Sequence, residues 1–302
     1  MTLHALVAAL GGDLYGGGLR ASVPAPGHSD ADRSVSLLLS GDRLIVHCFG
    51  SACWTAVRDD LRALGHIDRE GRLISGGRSA GDRAPDPRPD RQVRLRTARW
   101  LWDDSRPIGP GSLASRYLAR RAISFDRIGA SGLRHHPRAP LSVYRSGGAT
   151  RPALVAAITS PVGELTAVEV TYLAANGDRD ARVRTSRKMV GLFPPGSAVR
   201  LASDAEVMVV GEGVMSVLSA SAHTGLPAWA LLSARNLSLW SPPGRTRRVV
   251  VAADRGPPGE AAADILLNRL RSLGVDGALA LPPGDAEDWN AWAMHQRKKE
   301  GG

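Results

Sequence analysis

The chain has 302 residues, more than the roughly 100–200 of one ordinary domain, so two domains and a small extra module are expected. It carries 39 basic and 29 acidic residues, a net charge of +10, and only two cysteines, Cys48 and Cys53. Two cysteines exclude a disulfide scaffold, the absence of any apolar run near about 18 residues excludes a membrane-spanning helix, and no segment reads as an export signal; the expected setting is a reducing cytoplasm without membrane contact.

The charge is segregated. Residues 1–75 hold 7 basic and 8 acidic residues and residues 201–302 hold 10 and 11, whereas residues 76–200 hold 22 and 10. The excess therefore lies in the middle of the chain, a single-sign field that attracts phosphates and releases their counterions.

In chain order, Leu3 to Leu10 reads as a helix stopped by Gly11 and Gly12, followed by a glycine turn at Gly16 to Gly18. Ser34 to Leu39 and Arg43 to Cys48 alternate around Ser40, Gly41 and Asp42, which predicts a hairpin, and Trp54 to Leu64 has helical spacing. One hairpin and one helix make a module too small to stand without a metal or a neighbour. The stretch 76–92, rich in Gly, Pro and charge, predicts a disordered linker. Beyond it, 93–200 predicts an α+β domain: helices over Val93 to Asp103 and Gly111 to Arg121, then strands over Pro152 to Thr159 and Glu164 to Leu173, with His135 and His136 in a loop.

From Glu206 the pattern alternates. Strands are expected at Val207 to Val210, Ala228 to Leu232, Arg248 to Ala253 and Ala278 to Leu281, with helices at Val214 to His223 and Gly259 to Leu273. Alternation of this kind predicts an α/β domain with a parallel sheet, spanning 201–296 before a solvated tail at 297–302, with ligands at the carboxyl ends of its strands. Glu212 and Asp254 stand at two of those ends, each ahead of a helix N-terminus, where hard carboxylate oxygens can hold Mg²⁺ or Mn²⁺ and the helix N–H groups favour anions.

Three blocks carry a family resemblance: Gly211-Glu212-Gly213 after a strand, Ala253-Asp254 before a Pro-Gly turn into an Ala-rich helix, and Pro282-Pro283-Gly284-Asp285-Ala286-Glu287-Asp288-Trp289-Asn290. In this order and spacing they resemble the Toprim domain of primases and topoisomerases, and the last block resembles the closing stretch of primase-like Toprim proteins of bacterial mobile elements and phages. The resemblance implies a Rossmann-like Toprim domain in which Glu212 and Asp254 hold the metal and serve catalysis; Asp285 or Asp288 would add a metal ligand if the last loop folds back over the crevice, and otherwise they are surface loop residues. It departs at Gly256, where the family carries a second aspartate.

The resemblance also implies a zinc-ribbon-like module at 1–75. The matching ligands are His28, Cys48 and Cys53, with Ala25 where a first cysteine is expected and with altered cysteine spacing, so a degenerate zinc site is expected; His47, inside a strand, faces away from Cys48. Arg184, Arg187 and Lys188 are the candidates for nucleotide phosphate, Lys188 foremost. The expected function is primer synthesis by metal-dependent nucleotidyl transfer from nucleotide triphosphates on single-stranded DNA. No P-loop is present in the chain, so a replicative helicase would be a partner. The rivals are a catalytically degenerate recruitment module for a helicase or polymerase, which Gly256, Ala25 and the cysteine spacing favour, and a Toprim nuclease, which Gly256 argues against.

Overall fold

The computed structural model describes residues 2–28, 32–48, 54–74, 89–124, 132–144 and 147–300, and the chain divides into two compact units, Met1–Arg88 and Pro89–Gly302. Among the described residues, no helix is long and apolar enough to cross a membrane.

The first unit contains α1 (Leu3–Leu10), β1 (Asp13–Tyr15), β2 (Arg20–Val23), β3 (Val35–Ser40), β4 (Arg43–Cys48) and α2 (Trp54–Ala63). Helix α1 begins where Thr2 Oγ1 accepts the Ala5 N–H at 3.2 Å and ends at Gly11 in the left-handed region. The strands form one antiparallel sheet in sequence order, so the expectation of a lone hairpin is corrected. Strands of three and four residues, β1 and β2, are too short for their alternation to stand out. Their turn is made by Gly16, Gly17 and Gly18, all at positive φ, where side chains are strained. Leu6, Leu37 and Leu61 are fully buried in the core of this unit.

His28 Nδ1 lies 3.2 Å from Asp32 Oδ2, Ala25 is buried in the core, and Cys48 packs partly buried beside it. Cys53 and Phe49 lie outside the described residues. Asp32 organises the turn by accepting the Ala25 N–H at 2.9 Å and the Ser34 hydroxyl at 2.6 Å. Burial pushes its carboxyl up, but these hydrogen bonds and His28 outweigh that and hold it below the usual range.

The second unit opens with α3 (Arg91–Asp103) and α4 (Leu113–Arg120), capped by Asp90 and Ser112. An antiparallel sheet follows, β5 (Leu133–Pro140), β6 (Thr150–Thr159), β7 (Leu165–Tyr172) and β8 (Arg187–Gly191), paired in that order. After β9 (Val199–Arg200) come β10 (Val207–Gly211), α5 (Val214–Thr224), β11 (Ala228–Ala230), α6 (Ala234–Leu239), β12 (Arg248–Ala252), α7 (Pro257–Ser272), β13 (Asp276–Ala280) and α8 (Trp289–Glu300). Their sheet runs β13-β12-β10-β11-β9, parallel except for β9 at the edge.

The two-residue period of a strand divides the packing. Val155 of β6 and Val168 and Val170 of β7 face Ala98 and Leu101 of α3. Leu154 and Ile158 face the opposite way, into a core with Leu118 of α4, Val209 of β10, Val217 of α5 and Trp289 of α8. One apolar core thus joins the antiparallel sheet to the parallel one. The far face of the parallel sheet, through Met208, Val210 and Val251, packs on Leu237 of α6 and Leu266 of α7.

Two local expectations are corrected. His135 and His136 are in β5, not a loop, and His136 is 1% exposed with Nε2 3.2 Å from Asp104. The tail from 297 is exposed as expected, but through Glu300 it is helical, continuing α8. Burying the Trp289 side of that helix needs α5, and no local pattern announces a partner that distant.

Candidate active site

Strands β10 and β12 are neighbours in register, with Gly211 opposite Ala252. Glu212 and Asp254 follow within two residues, so both carboxylates leave the sheet at the same end. Gly211 permits this approach: a Cβ there would stand 2.5 Å from the Ala252 carbonyl oxygen and 2.8 Å from Val217 Cγ2.

The closing block folds back over this end. Arg255 donates its N–H to the Glu287 carbonyl at 2.8 Å and its guanidinium to the Pro282 and Gly284 carbonyls at 2.7 and 2.5 Å. Asp288 accepts the Ala291 N–H at 2.6 Å, starting α8. Asn290, 1% exposed, donates to the Arg121 carbonyl at 2.7 Å and to Ser219 Oγ at 2.9 Å, tying α8 to α4 and α5. Ser216 of α5 donates to Asp254 Oδ1 at 2.8 Å and accepts the Trp289 N–H at 3.3 Å.

A cleft of about 750 Å³ opens here. One part of its lining is acidic, with Glu212, Asp254 and Asp288; another is basic, with Arg121, Arg179, Arg184 and Arg187, and Glu169 of β7 lies beside Arg187. The connection from β7 to β8 supplies Arg179 and Arg184. It is anchored by Asp180, whose side chain is 1% exposed and faces Arg182 at 3.0 Å and Arg151 at 3.4 Å.

The electrostatics follow from this crowding. Burial pushes the Glu212 carboxyl up and the charge of Asp254 pushes it further, against a smaller pull from Arg187. Burial likewise raises Asp254, with Asp288 adding to the rise and the Ser216 hydrogen bond opposing it. Glu169 is raised by burial, with Arg187 opposing at 3.9 Å. A divalent cation between carboxylates held this way would replace lost water and cancel their repulsion, so the oxygen donors of Glu212 and Asp254 fit a hard ion. Among the described residues, no three His, Cys, Asp or Glu side chains are grouped as a metal site, so such an ion would complete its shell with water or substrate oxygens.

Several expected site residues are placed apart. Lys188 is corrected: as the neighbour of Arg187 in a strand it points to the other face, where Nζ donates to the Leu141 carbonyl at 2.8 Å and lies 5.0 Å from the Tyr172 ring centre. Arg184 and Arg187 line the cleft; Lys188 does not. Asp285 is in an exposed turn and is not part of the cleft lining, unlike Asp288. Gly256 has φ +109° and ψ 158° and donates its N–H to Glu260 Oε1 at 3.0 Å. Sequence reasoning missed Glu169 and Ser216, while Asn290 stood within the closing block and Arg121 at the end of an expected helix, neither with a role of its own. Glu169 alone had a signal, a charge inside the apolar run Leu165–Tyr172.

Residues 92–201 match a domain of unknown function (DUF7146), and residues 207–298 match the Toprim domain. No curated protein matches the chain. Among solved structures, the primase fragment of the bacteriophage T7 primase-helicase is 14% identical with a TM-score of 0.44, over 92% of this chain and 96% of that one. The Aquifex aeolicus primase, with its zinc-binding and RNA polymerase domains, is 15% identical with a TM-score of 0.45, over 99% and 82%. A DNA primase domain from Pseudomonas aeruginosa is 15% identical with a TM-score of 0.42, over 68% and 74%. Residues 207–298, which match the Toprim domain, place the glutamate and aspartate at adjacent ends of a parallel sheet with the closing block folded over them.

Proposed function

We propose that this protein is a primase-like nucleotidyltransferase that binds a nucleotide triphosphate in the cleft and extends a primer along single-stranded DNA. The observation that carries the reading is the pairing of Glu212 with Asp254 at neighbouring strand ends, desolvated and mutually repelling, in one cleft with Arg121, Arg179, Arg184 and Arg187. Acids beside arginines suit a ligand that brings both a divalent cation and phosphates.

The residues divide the work. Glu212 and Asp254 would hold Mg²⁺ or Mn²⁺, with Asp288 near enough to Asp254 to add negative charge. When bound, the ion supplies electrostatic stabilisation of charge developing on phosphate oxygens. The arginines bind and orient the triphosphate, and the basic excess of residues 76–200 draws in the template strand. In the transfer, a primer 3′-hydroxyl forms a bond to the α-phosphorus, pyrophosphate leaves, and the hydroxyl proton passes to solvent or a cleft base. A replicative helicase remains the proposed partner.

The second reading is a recruitment module without catalysis, and Gly256 favours it: the position of the family's second aspartate is occupied by a residue in a backbone region essentially limited to glycine. Primer synthesis on single-stranded DNA with labelled nucleotides and Mg²⁺ or Mn²⁺ separates the two. Product made by the native protein and lost in Asp254→Asn is expected; no product from folded, DNA-binding protein would leave the recruitment module.

A further inference from the structure

On the face of the antiparallel sheet opposite the cleft, residues of α3, of the ends of β5 and β6, and Val143 and Tyr144 line a second cavity of about 430 Å³, with Thr97, Trp100, Pro140 and Thr150 among them. Two large aromatic rings stand open there: Trp100 is 48% exposed and Tyr144 is 37% exposed. Two partly open rings lining one cavity offer apolar faces that a planar ligand can cover.

Both rings are also fixed. Tyr144 accepts the Gly191 N–H on its hydroxyl at 3.2 Å, which holds the ring over the end of β8. Trp100 packs edge-to-face on His136, with centroids 6.2 Å apart. His136 is itself held, accepting the Arg138 N–H on Nδ1 at 3.2 Å and facing Asp104 from Nε2. Held aromatic faces lose little freedom when they stack on a ligand.

The charge around them identifies the ligand. Arg96 lies one helical turn before Trp100, Arg99 is adjacent, and Arg138 is exposed on β5. Among the described residues, none of the three is engaged in an ion pair. Exposed guanidinium groups on the helix and strand that carry the cavity, outside its lining, match a strand that presents bases and phosphates together.

We propose that Trp100 and Tyr144 form a stacking site for a base of single-stranded nucleic acid, with Arg96, Arg99 and Arg138 contacting its phosphates. The site is separate from the Toprim cleft: α3 packs on Val155, Val168 and Val170, whereas Leu154 and Ala156 of the same sheet line the cleft. It holds a segment of strand away from the reacting end, and its chemistry needs neither metal nor nucleotide triphosphate.

The test is binding of fluorescein-labelled oligothymidylate to the full chain by anisotropy, without metal or nucleotide, beside an abasic oligomer of equal length and charge. Native protein is expected to prefer the base-bearing strand, and Trp100→Ala to weaken binding to it by about five-fold or more while leaving abasic binding unchanged. Trp100→Phe, which keeps a ring, should restore most of the preference, and thermal melting of each variant reports its fold. Photocrosslinking with 5-iodouracil in the oligomer should label Trp100 or Tyr144. Equal affinity of native protein for both oligomers, or crosslinks confined to the cleft, overturns the proposal, as does a binding preference retained by Trp100→Ala; in the last case the open rings serve a protein partner. Loss of primer synthesis bears on the cleft alone, so the two readings fail separately.

Discussion

Ser216 Oγ donates a 2.8 Å hydrogen bond to Asp254 Oδ1, joining the first turn of α5 to the residue that follows β12. The bond favours the charged carboxylate against burial, which raises its pKa. Ser216→Ala should therefore leave Asp254 protonated to higher pH and weaken Mn²⁺ binding several-fold near pH 6, because proton and metal compete for the same oxygens. The deficit should shrink as pH rises and the competing proton is lost from both proteins. Calorimetric titration at the two pH values checks this, and equal affinities at pH 6 would contradict it.

Glu212 and Asp254 both have raised pKa values, so the folded chain binds more protons than the unfolded one at mildly acidic pH. Without metal, stability falls as pH climbs from the ordinary carboxylate range through the raised values, and above them the loss is complete. Glu212→Gln removes one charge from the pair. It should raise the melting temperature of the metal-free protein at pH 8 by about 2–4 °C per kcal/mol of relieved repulsion and make little difference near pH 4. A metal-free variant that melts below the native protein at pH 8 would show that the pair is not under tension.

Restoring the family's second aspartate should not restore a stronger site. Gly256→Asp places a side chain at φ +109° and ψ 158°, a region essentially open only to glycine, at about 1–3 kcal/mol. Denaturant unfolding should show the loss, and Mn²⁺ affinity should not rise. A stable variant with tighter Mn²⁺ binding would mean that the turn relaxes to accept the aspartate.

Arg187 and Lys188 are adjacent in β8 and face opposite sides of the sheet. Arg187→Ala should weaken binding of a nucleotide triphosphate by about ten-fold, the effect of roughly 1.4 kcal/mol. Lys188→Ala should leave that affinity nearly unchanged and lower stability instead, since it removes the bond to the Leu141 carbonyl and the contact with the Tyr172 ring, whose hydroxyl burial pushes up to about 12. Fluorescent-nucleotide titration and thermal melting of the two variants distinguish these roles.

Local pattern was enough for the helix over Leu3–Leu10, the alternation of strand and helix after Glu206, and the emergence of Glu212 and Asp254 at strand ends. These depend on local periodicity, on glycine and on cap residues, and each is settled within a few neighbours. Relations between residues far apart in the chain came only with packing. Ser216 reaches Asp254 across 38 positions, and Asn290 reaches Arg121 across 169. The charge of Lys188 is visible in the sequence but its strand is not; once β8 pairs with β7, the two-residue period sends Arg187 to the cleft and Lys188 to the opposite face. Glu169 entered the site for the same reason: a strand's composition sets which residues it offers, but only the packing of its two faces decides which of them meet the cleft.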